Sequence, residues 1–286
     1  MRKSARYMAV VITVALVLVS CIWYAALRED RQGLLTVSFL DIGQGDAIFI
    51  DAPSGRQVLI DGGPPTGAVL RRLSDVMPWW DRSIDVVIPT HPDSDHLGGL
   101  IDVLKRYDVG MIVYSSVQGD TKTFAAFNKA EAAESAQKIV AMRGQVIALG
   151  DGAYLEVLSP DRLVPQVDTN DGCVVTRLVY GNTSFMLSCD APGAVEDYLA
   201  ALGTSTLRAN VLKAGHHGSK TSSSPLFLGY VDPAYGVFSR GCGNKYGHPA
   251  QETVERFARF GIPTFDTCSN GTVTFISDGQ AVRPKL

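Results

Sequence analysis

The chain has 286 residues, 46% of them hydrophobic, and a formal net charge of −3. This length and apolar content allow a sizeable folded core and exclude a disordered or fibrous protein. Three basic residues and no acidic ones precede residue 28, so the rest of the chain has a more negative net charge than the whole. The overall charge therefore does not favour nucleic-acid binding.

The first predicted element is a membrane-spanning helix. Tyr7 to Leu27 contains 21 residues without a charge, and a bilayer core needs roughly 20 apolar residues in a helix. Three bases precede this run, which predicts a cytoplasmic N-terminus and a domain on the extracytoplasmic side of the cytoplasmic membrane. Two alternatives stay open, namely a lipoprotein cleaved before Cys21 and a helix buried in a soluble core.

The rest of the chain is predicted to form one domain. We expect a membrane anchor at residues 1–27, a linker at 28–33 and the domain at 34–286, because no segment rich in Pro, Gly or Ser divides the latter. Five cysteines, 21, 173, 189, 242 and 268, show no CxxC spacing. A Cys242–Cys268 disulfide is compatible with an extracytoplasmic location, but buried apolar thiols are the favoured interpretation.

Two successive halves of the domain each mix strands and helices. Runs rich in β-branched residues predict strands, and apolar residues at helical spacing predict helices. Phe124–Met142 is rich in alanine and predicts one long helix, ended by Gly144. Such halves favour an α/β sandwich with the sheets inside and the helices outside. The predicted strands are 35–40, 47–50, 58–60, 86–88, 145–149, 154–158, 174–180, 184–188, 210–213, 235–238 and 271–276, and the other helices are 68–76, 97–107, 194–202 and 251–260.

The segment His91-Pro-Asp-Ser-Asp-His96-Leu-Gly-Gly99 carries the strongest functional signal. It has four candidate metal ligands within six residues, directly after a predicted buried strand. Packing carboxylates and imidazoles this closely is unfavourable unless a cation neutralises them. A helix N-cap is the alternative, but it needs only one aspartate. The segment therefore predicts a metal site.

The same segment resembles the histidine–aspartate motif of the metallo-β-lactamase superfamily, in the form with aspartate at the second histidine. Phe39–Ala47 resembles the start of the extracytoplasmic domain of the ComEC competence family, and Asp61-Gly-Gly63 resembles the superfamily's first motif. Asp190 falls where the superfamily has an aspartate that bridges two metals. The segments 211–219 and 244–249 complete a match that runs in order along residues 35–280.

The resemblance implies an αββα sandwich and a centre with two divalent ions, Mn²⁺ or Zn²⁺. The region before the bridging aspartate, Thr169-Asn-Asp-Gly172, lacks a histidine that many members have there, so the first ion would be held more weakly. Such a carboxylate-rich site suits Mn²⁺ as well as Zn²⁺. The implied ligands are His91 and Asp93 for the first ion, Asp95 and His96 for the second, Asp190 between them, and His216, favoured over His217 because it directly follows the strand.

Other motif residues are assigned to catalysis and substrate. Lysines in a cleft suit phosphate oxygens, and histidine can act as a proton donor. Asp46 and Asp61 are interpreted as structural. The predicted catalytic residues are Asp95, Asp190, Lys213 and His248, and the predicted substrate-binding residues are His217, Ser219, Lys220, Asn244, Lys245 and Tyr246.

Three functions stay open. The first is a phosphodiesterase, a DNase for single-stranded DNA at the outer membrane face, with a separate DNA-uptake channel protein as partner. The second is metal-dependent hydrolysis of a lactam, a lactone or a small phosphoester, since a fold does not fix a substrate. The third is a non-catalytic module that binds DNA or a channel. The intact ligand set favours an enzyme.

Overall fold

The computed structural model describes residues 2–29, 31–203 and 207–285, with side chains for residues 6–23 of the first range. Helix α1 spans Arg2–Glu29. Its segment Arg6–Trp23 is unburied, with a mean hydropathy of 2.1, so the helix is long and apolar enough to cross a membrane. The predicted linker includes residue 30, which lies outside the described residues, and the domain boundaries stay a prediction.

Eight strands form the first sheet, and its edge strands come from distant parts of the chain. The strands are β1 (Leu35–Phe39), β2 (Ile48–Asp51), β3 (Gln57–Ile60), β4 (Ser83–Ile88), β5 (Asp108–Tyr114), β6 (Gln137–Val140), β14 (Val273–Ser277) and β15 (Val282–Lys285). Their order is β15-β14-β1-β2-β3-β4-β5-β6. Strands β3 to β6 are parallel, whereas β1 pairs with both of its neighbours in antiparallel register.

Seven strands form the second sheet. They are β7 (Val146–Gly150), β8 (Ala153–Ser159), β9 (Val175–Tyr180), β10 (Thr183–Leu187), β11 (Val211–Lys213), β12 (Tyr235–Phe238) and β13 (Thr264–Asp266). Their order is β13-β12-β11-β10-β9-β8-β7. Strands β10 to β13 are parallel, so this sheet repeats the mixed pattern of the first one.

The two sheets pack face to face, with helices on both outer faces. Phe275 contributes to the core between the sheets, and its ring meets those of Phe39 and Phe185 at centroid distances of 6.2 and 6.4 Å. The predicted αββα sandwich is therefore confirmed. The helices of the domain are α2 (Ala68–Val76), α3 (Ser94–Leu97), α4 (Leu100–Leu104), α5 (Lys122–Ala133), α6 (Gly193–Ala201), α7 (Pro225–Val231), α8 (Gln251–Arg259) and α9 (Thr267–Asn270).

One predicted helix is wrong over its second half. Helix α5 ends at Ala133, and β6 follows and pairs with β5 in parallel register. Sheet pairing at Ile139 and Val140 outweighs the helix propensity of the alanines before them. The predicted helix 97–107 is also divided, because the backbone N–H of Gly99 donates to the carbonyl of Gly63 at 2.8 Å instead of to the preceding helical turn. Elements β5, α7, β13, α9 and β15 were not predicted.

Candidate metal centre

The candidate site lies where parallel strands of both sheets end. Asp61 directly follows β3, and the segment from His91 to His96 begins three residues after β4. Asp190 lies just beyond β10, and the two adjacent histidines lie beyond β11. Since carboxyl ends of parallel strands share one edge of a sheet, the fold brings these segments together although they are far apart in sequence.

Asp61 fixes the orientation of His96. The Nδ1 atom of His96 donates a hydrogen bond to Oδ2 of Asp61 at 2.7 Å, and both side chains are buried. Asp61 also accepts hydrogen bonds from the backbone N–H and the hydroxyl of Thr90, at 2.8 and 2.7 Å. Nε2 of His96 is therefore left free and lies 3.3 Å from Oδ2 of Asp190. An aspartate that orients a metal-ligating histidine in this way is common around metal ions.

His217, rather than His216, lies buried in the centre. His217 is 1% exposed, its Nδ1 donates to the carbonyl of Ser239 at 3.0 Å, and its Nε2 lies 3.3 Å from Oδ2 of Asp190. The His216 side chain is 30% exposed, and its Nε2 lies 3.6 Å from the same oxygen. Both histidines have a left-handed backbone, with φ of 48° and 55°, which turns the second one inwards. The expectation that His217 contacts substrate is therefore wrong.

His91 and Asp93 form the other side of the site. Nδ1 of His91 lies 3.0 Å from the hydroxyl oxygen of Thr90. Because the hydroxyl hydrogen of Thr90 is donated to Asp61, Nδ1 of His91 is the donor and the Thr90 oxygen is the acceptor. Nε2 of His91 lies 3.7 Å from Oδ2 of Asp93, whose side chain is 41% exposed. Burial raises the pKa of Asp93, and the nearby Thr169 partly offsets this, so the segment without histidine lies at the edge of the centre.

The donor set fits a divalent metal ion. Nε2 of His91, of His96 and of His217 are buried and form no hydrogen bond. Leaving buried polar nitrogens unpartnered is costly, whereas neutral imidazole is a common metal ligand. Side-chain ligand atoms of Asp46, His96, Asp190 and His217 also lie within 4.8 Å of one another. Among the described residues, this buried cluster indicates divalent metal binding.

Lys213 does not lie in the cleft, which corrects its predicted contact with substrate. It is fully buried, and its ammonium contacts the Asp46 carboxylate. Nζ lies 3.4 Å from Oδ1 of Asp190 and donates to the carbonyl of Cys189 at 2.8 Å. Asp46 is therefore a counter-ion of Lys213 rather than a free ligand, despite its closeness to the histidines.

The charges of the centre alter the pKa values of its members. Burial would lower the pKa of His96 and of His217, but the Asp190 carboxylate raises both well above the usual range. Burial would raise the pKa of Asp190, but His217, His96 and Lys213 lower it well below the usual range. In the same way, His217 and His96 outweigh burial and lower the pKa of Asp95 to about 2. The carboxylates of Asp190 and Asp95 are thus ionised, whereas burial raises the pKa of Asp93.

An open cleft of about 550 Å³ begins at Asp95. One wall contains Tyr246, which stacks on His248 at a centroid distance of 5.7 Å, and Lys245 lies over the Tyr246 ring at 5.1 Å. Asn244 also lines the cleft, but its polar atoms all bond to the backbone of its own loop. Its Nδ2 donates to two backbone carbonyls, including that of His248 at 2.7 Å, and its Oδ1 accepts from two backbone N–H groups. Its side chain positions Tyr246 and His248.

Two other predicted substrate residues lie elsewhere. Ser219 is buried and its hydroxyl pairs with that of Thr221 at 2.9 Å. Its hydroxyl also accepts a hydrogen bond from the backbone N–H of Thr221 and so stabilises the turn after the two histidines. The expected substrate contact is therefore wrong. Lys220 is exposed, but it does not line this cleft.

Four cysteines form disulfides, which overturns the favoured interpretation of free thiols. Cys173 bonds to Cys189, and Cys242 bonds to Cys268. The first bond joins Cys173, four residues after Thr169, to Cys189, the residue before Asp190. Spacing alone cannot reveal such pairs, because each bond joins two segments that only the fold brings together.

Comparisons with known proteins agree with this geometry. Residues 40–241 match the sequence model of the metallo-beta-lactamase superfamily. The chain is 31% identical to "ComE operon protein 3" of Bacillus subtilis (84% of this chain, 32% of that protein) and 30% identical to "Competence protein ComA" of Neisseria gonorrhoeae (84% and 32%). It thus spans about a third of the length of these relatives.

Solved structures share the fold at low sequence identity. The metallo-beta-lactamase fold protein YhfI of Bacillus subtilis has a TM-score of 0.58 at 14% identity, with 85% of this chain and 99% of that chain covered. Zn²⁺-bound PqqB of Methylobacterium extorquens has a TM-score of 0.52 at 12% identity, with 84% and 99% covered. Both similarities concern the fold alone.

Proposed function

The chain belongs to the metallo-β-lactamase superfamily, and from this premise we propose that it is a membrane-anchored, two-metal phosphodiesterase that cleaves single-stranded DNA. The observation that carries the proposal is the convergence of His96 and His217 on one oxygen of Asp190, at 3.3 Å each, beside an open cleft. The likeness to competence proteins supports DNA as the substrate.

We assign the ligands as follows. His91 and Asp93 would hold one ion, Asp95 and His96 the other, and Asp190 would lie between them. His217 replaces His216 in this assignment because its buried Nε2 also lies 3.4 Å from Oδ2 of Asp95. The exposed His216 would then face the substrate.

Two divalent ions held by these residues would stabilise the attacking and leaving oxygens of a phosphodiester. The neighbouring residues keep the ligands in place: Asp61 holds the His96 ring, and Asp190 is kept ionised by His217, His96 and Lys213. Along the cleft, Lys245 would bind a phosphate and Tyr246 would stack on a base, which is worth about 1–3 kcal/mol per base. His248 would donate a proton to the leaving oxygen.

The experiment is a cleavage assay of the purified full chain in detergent, stripped of metal and reloaded with Mn²⁺ or Zn²⁺. Single-stranded DNA, duplex DNA, a β-lactam and a lactone are the substrates. We expect cleavage of single-stranded DNA that Asp190→Asn abolishes. Asp171→Asn is the matched control, because Asp171 is exposed on a nearby loop and its removal should leave activity intact.

Three outcomes would contradict the proposal. Robust DNA cleavage by the Asp190→Asn protein would refute the ligand assignment. A wild-type protein that is inert on every phosphodiester but hydrolyses the lactam or lactone would be a small-molecule hydrolase. A protein inert on all substrates that retains metal and binds DNA would be a non-catalytic module.

We also propose that α1 anchors the chain in the cytoplasmic membrane with the domain outside, next to a separate DNA-uptake channel protein. The two disulfides support this side of the membrane, because cytosolic thiols are kept reduced. Protease added to intact spheroplasts should digest the domain. If the domain is fully protected until the cells are lysed, it lies on the cytoplasmic side and the proposed orientation is wrong. The intact mass of the extracted protein distinguishes an uncleaved anchor from a lipoprotein cleaved at Cys21.

A further inference from the structure

Two adjacent tryptophans lie exposed after α2. Trp79 is 77% exposed, more than any other large hydrophobic residue in the described ranges 31–203 and 207–285, and Trp80 is 39% exposed. Their rings meet edge to face at a centroid distance of 5.6 Å. A solvent-facing aromatic pair of this kind marks an interaction surface.

This tryptophan pair lies beside the point where the chain leaves the predicted membrane helix. Trp79 and Trp80 line a surface cleft of about 500 Å³ together with Arg31. Helix α1 ends at Glu29, two residues before Arg31, and two residues of extended chain span at most about 7 Å. If α1 crosses a bilayer, the tryptophan pair therefore faces the surface of that bilayer.

The acidic groups around the pair are already bonded within the protein. Asp51 forms an ion pair with Arg31 at 3.1 Å. Asp75 pairs with Arg72 at 3.5 Å, and Asp81 accepts hydrogen bonds from Ser83 and from the side chain of Gln57. Such pairing lowers the cost of bringing these carboxylates close to lipid.

We propose that Trp79 and Trp80 insert into the headgroup region of the bilayer that α1 crosses. The proposal rests on the membrane anchoring proposed above. Tryptophan is suited to this position, because its ring is apolar while its indole N–H can bond to headgroups or water. The helix and the tryptophan pair then form two attachments, which fix how the domain lies on the membrane.

This arrangement directs the metal centre away from the lipid. Trp80 lies shortly before the start of β4, whereas His91 lies shortly after its end. The six residues of β4 span about 20 Å at the usual rise of a strand. The cleft therefore opens at the end of the sandwich that is remote from the bilayer, where a polymer in solution can reach it.

Tryptophan fluorescence tests the proposal, because the chain contains only three tryptophans, at positions 23, 79 and 80. The full-length Trp23→Phe protein reports the pair alone, and the Trp79→Phe/Trp80→Phe protein reports Trp23 in α1. Each is placed in phosphatidylcholine nanodiscs, which leave both faces accessible. The lipid is brominated near the top of the acyl chain or near its end.

We expect shallow bromine to remove most of the fluorescence of the Trp23→Phe protein, and deep bromine to remove much less. Emission at the wavelength of water-exposed tryptophan, quenched by aqueous iodide and insensitive to both lipids, would overturn the proposal. In that case, quenching of Trp23 by brominated lipid would show that the anchor itself is intact. Absence of bromine quenching at Trp23 would instead refute the anchoring on which the proposal rests.

Discussion

The ammonium of Lys213 forms an ion pair with the Asp46 carboxylate inside the site, where neither side chain reaches solvent. Lys213 also faces Asp190, so its removal from metal-free protein takes a compensating positive charge away from two buried carboxylates. We expect Lys213→Met to lower the free energy of unfolding by about 3–5 kcal/mol. Denaturant unfolding of metal-free wild type and variant measures this difference.

Lys220→Met is the control for that substitution. Lys220 is exposed, so its change should stay within about 0.5 kcal/mol. Adding Asp46→Asn to Lys213→Met should recover part of the lost stability, since one uncompensated charge is then removed. A Lys213→Met protein as stable as wild type would mean that the ion pair does not hold the centre together.

A second prediction concerns the metal preference set by Asp93. Carboxylate ligands suit Mn²⁺, whereas imidazole favours Zn²⁺. Oδ2 of Asp93 lies 3.7 Å from Nε2 of His91, so an aspartate or a histidine at position 93 could share an ion with His91. We expect wild type to be more active with Mn²⁺ and Asp93→His to shift activity towards Zn²⁺. Turnover of stripped protein, titrated with each ion, gives the ranking. The argument is wrong if Zn²⁺ activates wild type best and the substitution changes nothing.

A third prediction concerns the disulfide next to Asp190. Cys173 and Cys189 are separated by 16 positions, and closing a loop of this size is worth about 3 kcal/mol. Cys173→Ala/Cys189→Ala should lose that stability and also bind metal more weakly, because Cys189 positions Asp190. Unfolding and metal titration measure the two effects. Cys242→Ala/Cys268→Ala should lose comparable stability with metal affinity unchanged, and equal losses of affinity in both proteins would contradict a local role.

The fourth prediction concerns pH. Burial raises the pKa of Glu196 from its ordinary 4.5 to about 7, although it accepts backbone hydrogen bonds from Ser223 and Ser224. Between these values the folded chain holds a proton that the unfolded chain has released. Stability should therefore fall as pH rises from 4.5 to 7, by about 3 kcal/mol in total, and level off above.

Glu196→Gln removes this titration while preserving side-chain size. The difference in unfolding free energy between wild type and variant should change across that pH range and be constant above it. Parallel stability curves from pH 4.5 to 8 would rule out a raised pKa.

The candidate ligand segment stands out in the sequence because it is local: two histidines and two aspartates lie within six residues, from His91 to His96. The role of Lys213 was not predictable, because a lysine in a motif suggests phosphate binding, whereas here the lysine is buried and pairs with Asp46 from the distant loop between β1 and β2. The sandwich followed from the apolar runs that mark most of its strands, although β5, β6, β13 and β15 were missed.

The choice between the two adjacent histidines depends on backbone geometry that no residue type specifies. His216 follows the strand, yet the left-handed turn directs His217 inwards. The error at 124–142 has a similar cause, because sheet pairing with β5 overrides a local preference for helix. Sequence patterns report local conformational preferences. Both wrong predictions, the choice of His216 and the long helix, concern positions where tertiary contacts determine the conformation.

The pairing of β1 with β14 has a consequence for how the domain is made. Leu35 and Ser277 are register partners although they come from opposite ends of the domain sequence. During synthesis, β1 emerges early and keeps one edge open until nearly all of the domain has been translated. An open apolar edge invites pairing with other chains, and such distant contacts slow folding. Aggregation during biogenesis is therefore a greater hazard for this domain than for one whose neighbouring strands follow each other along the chain.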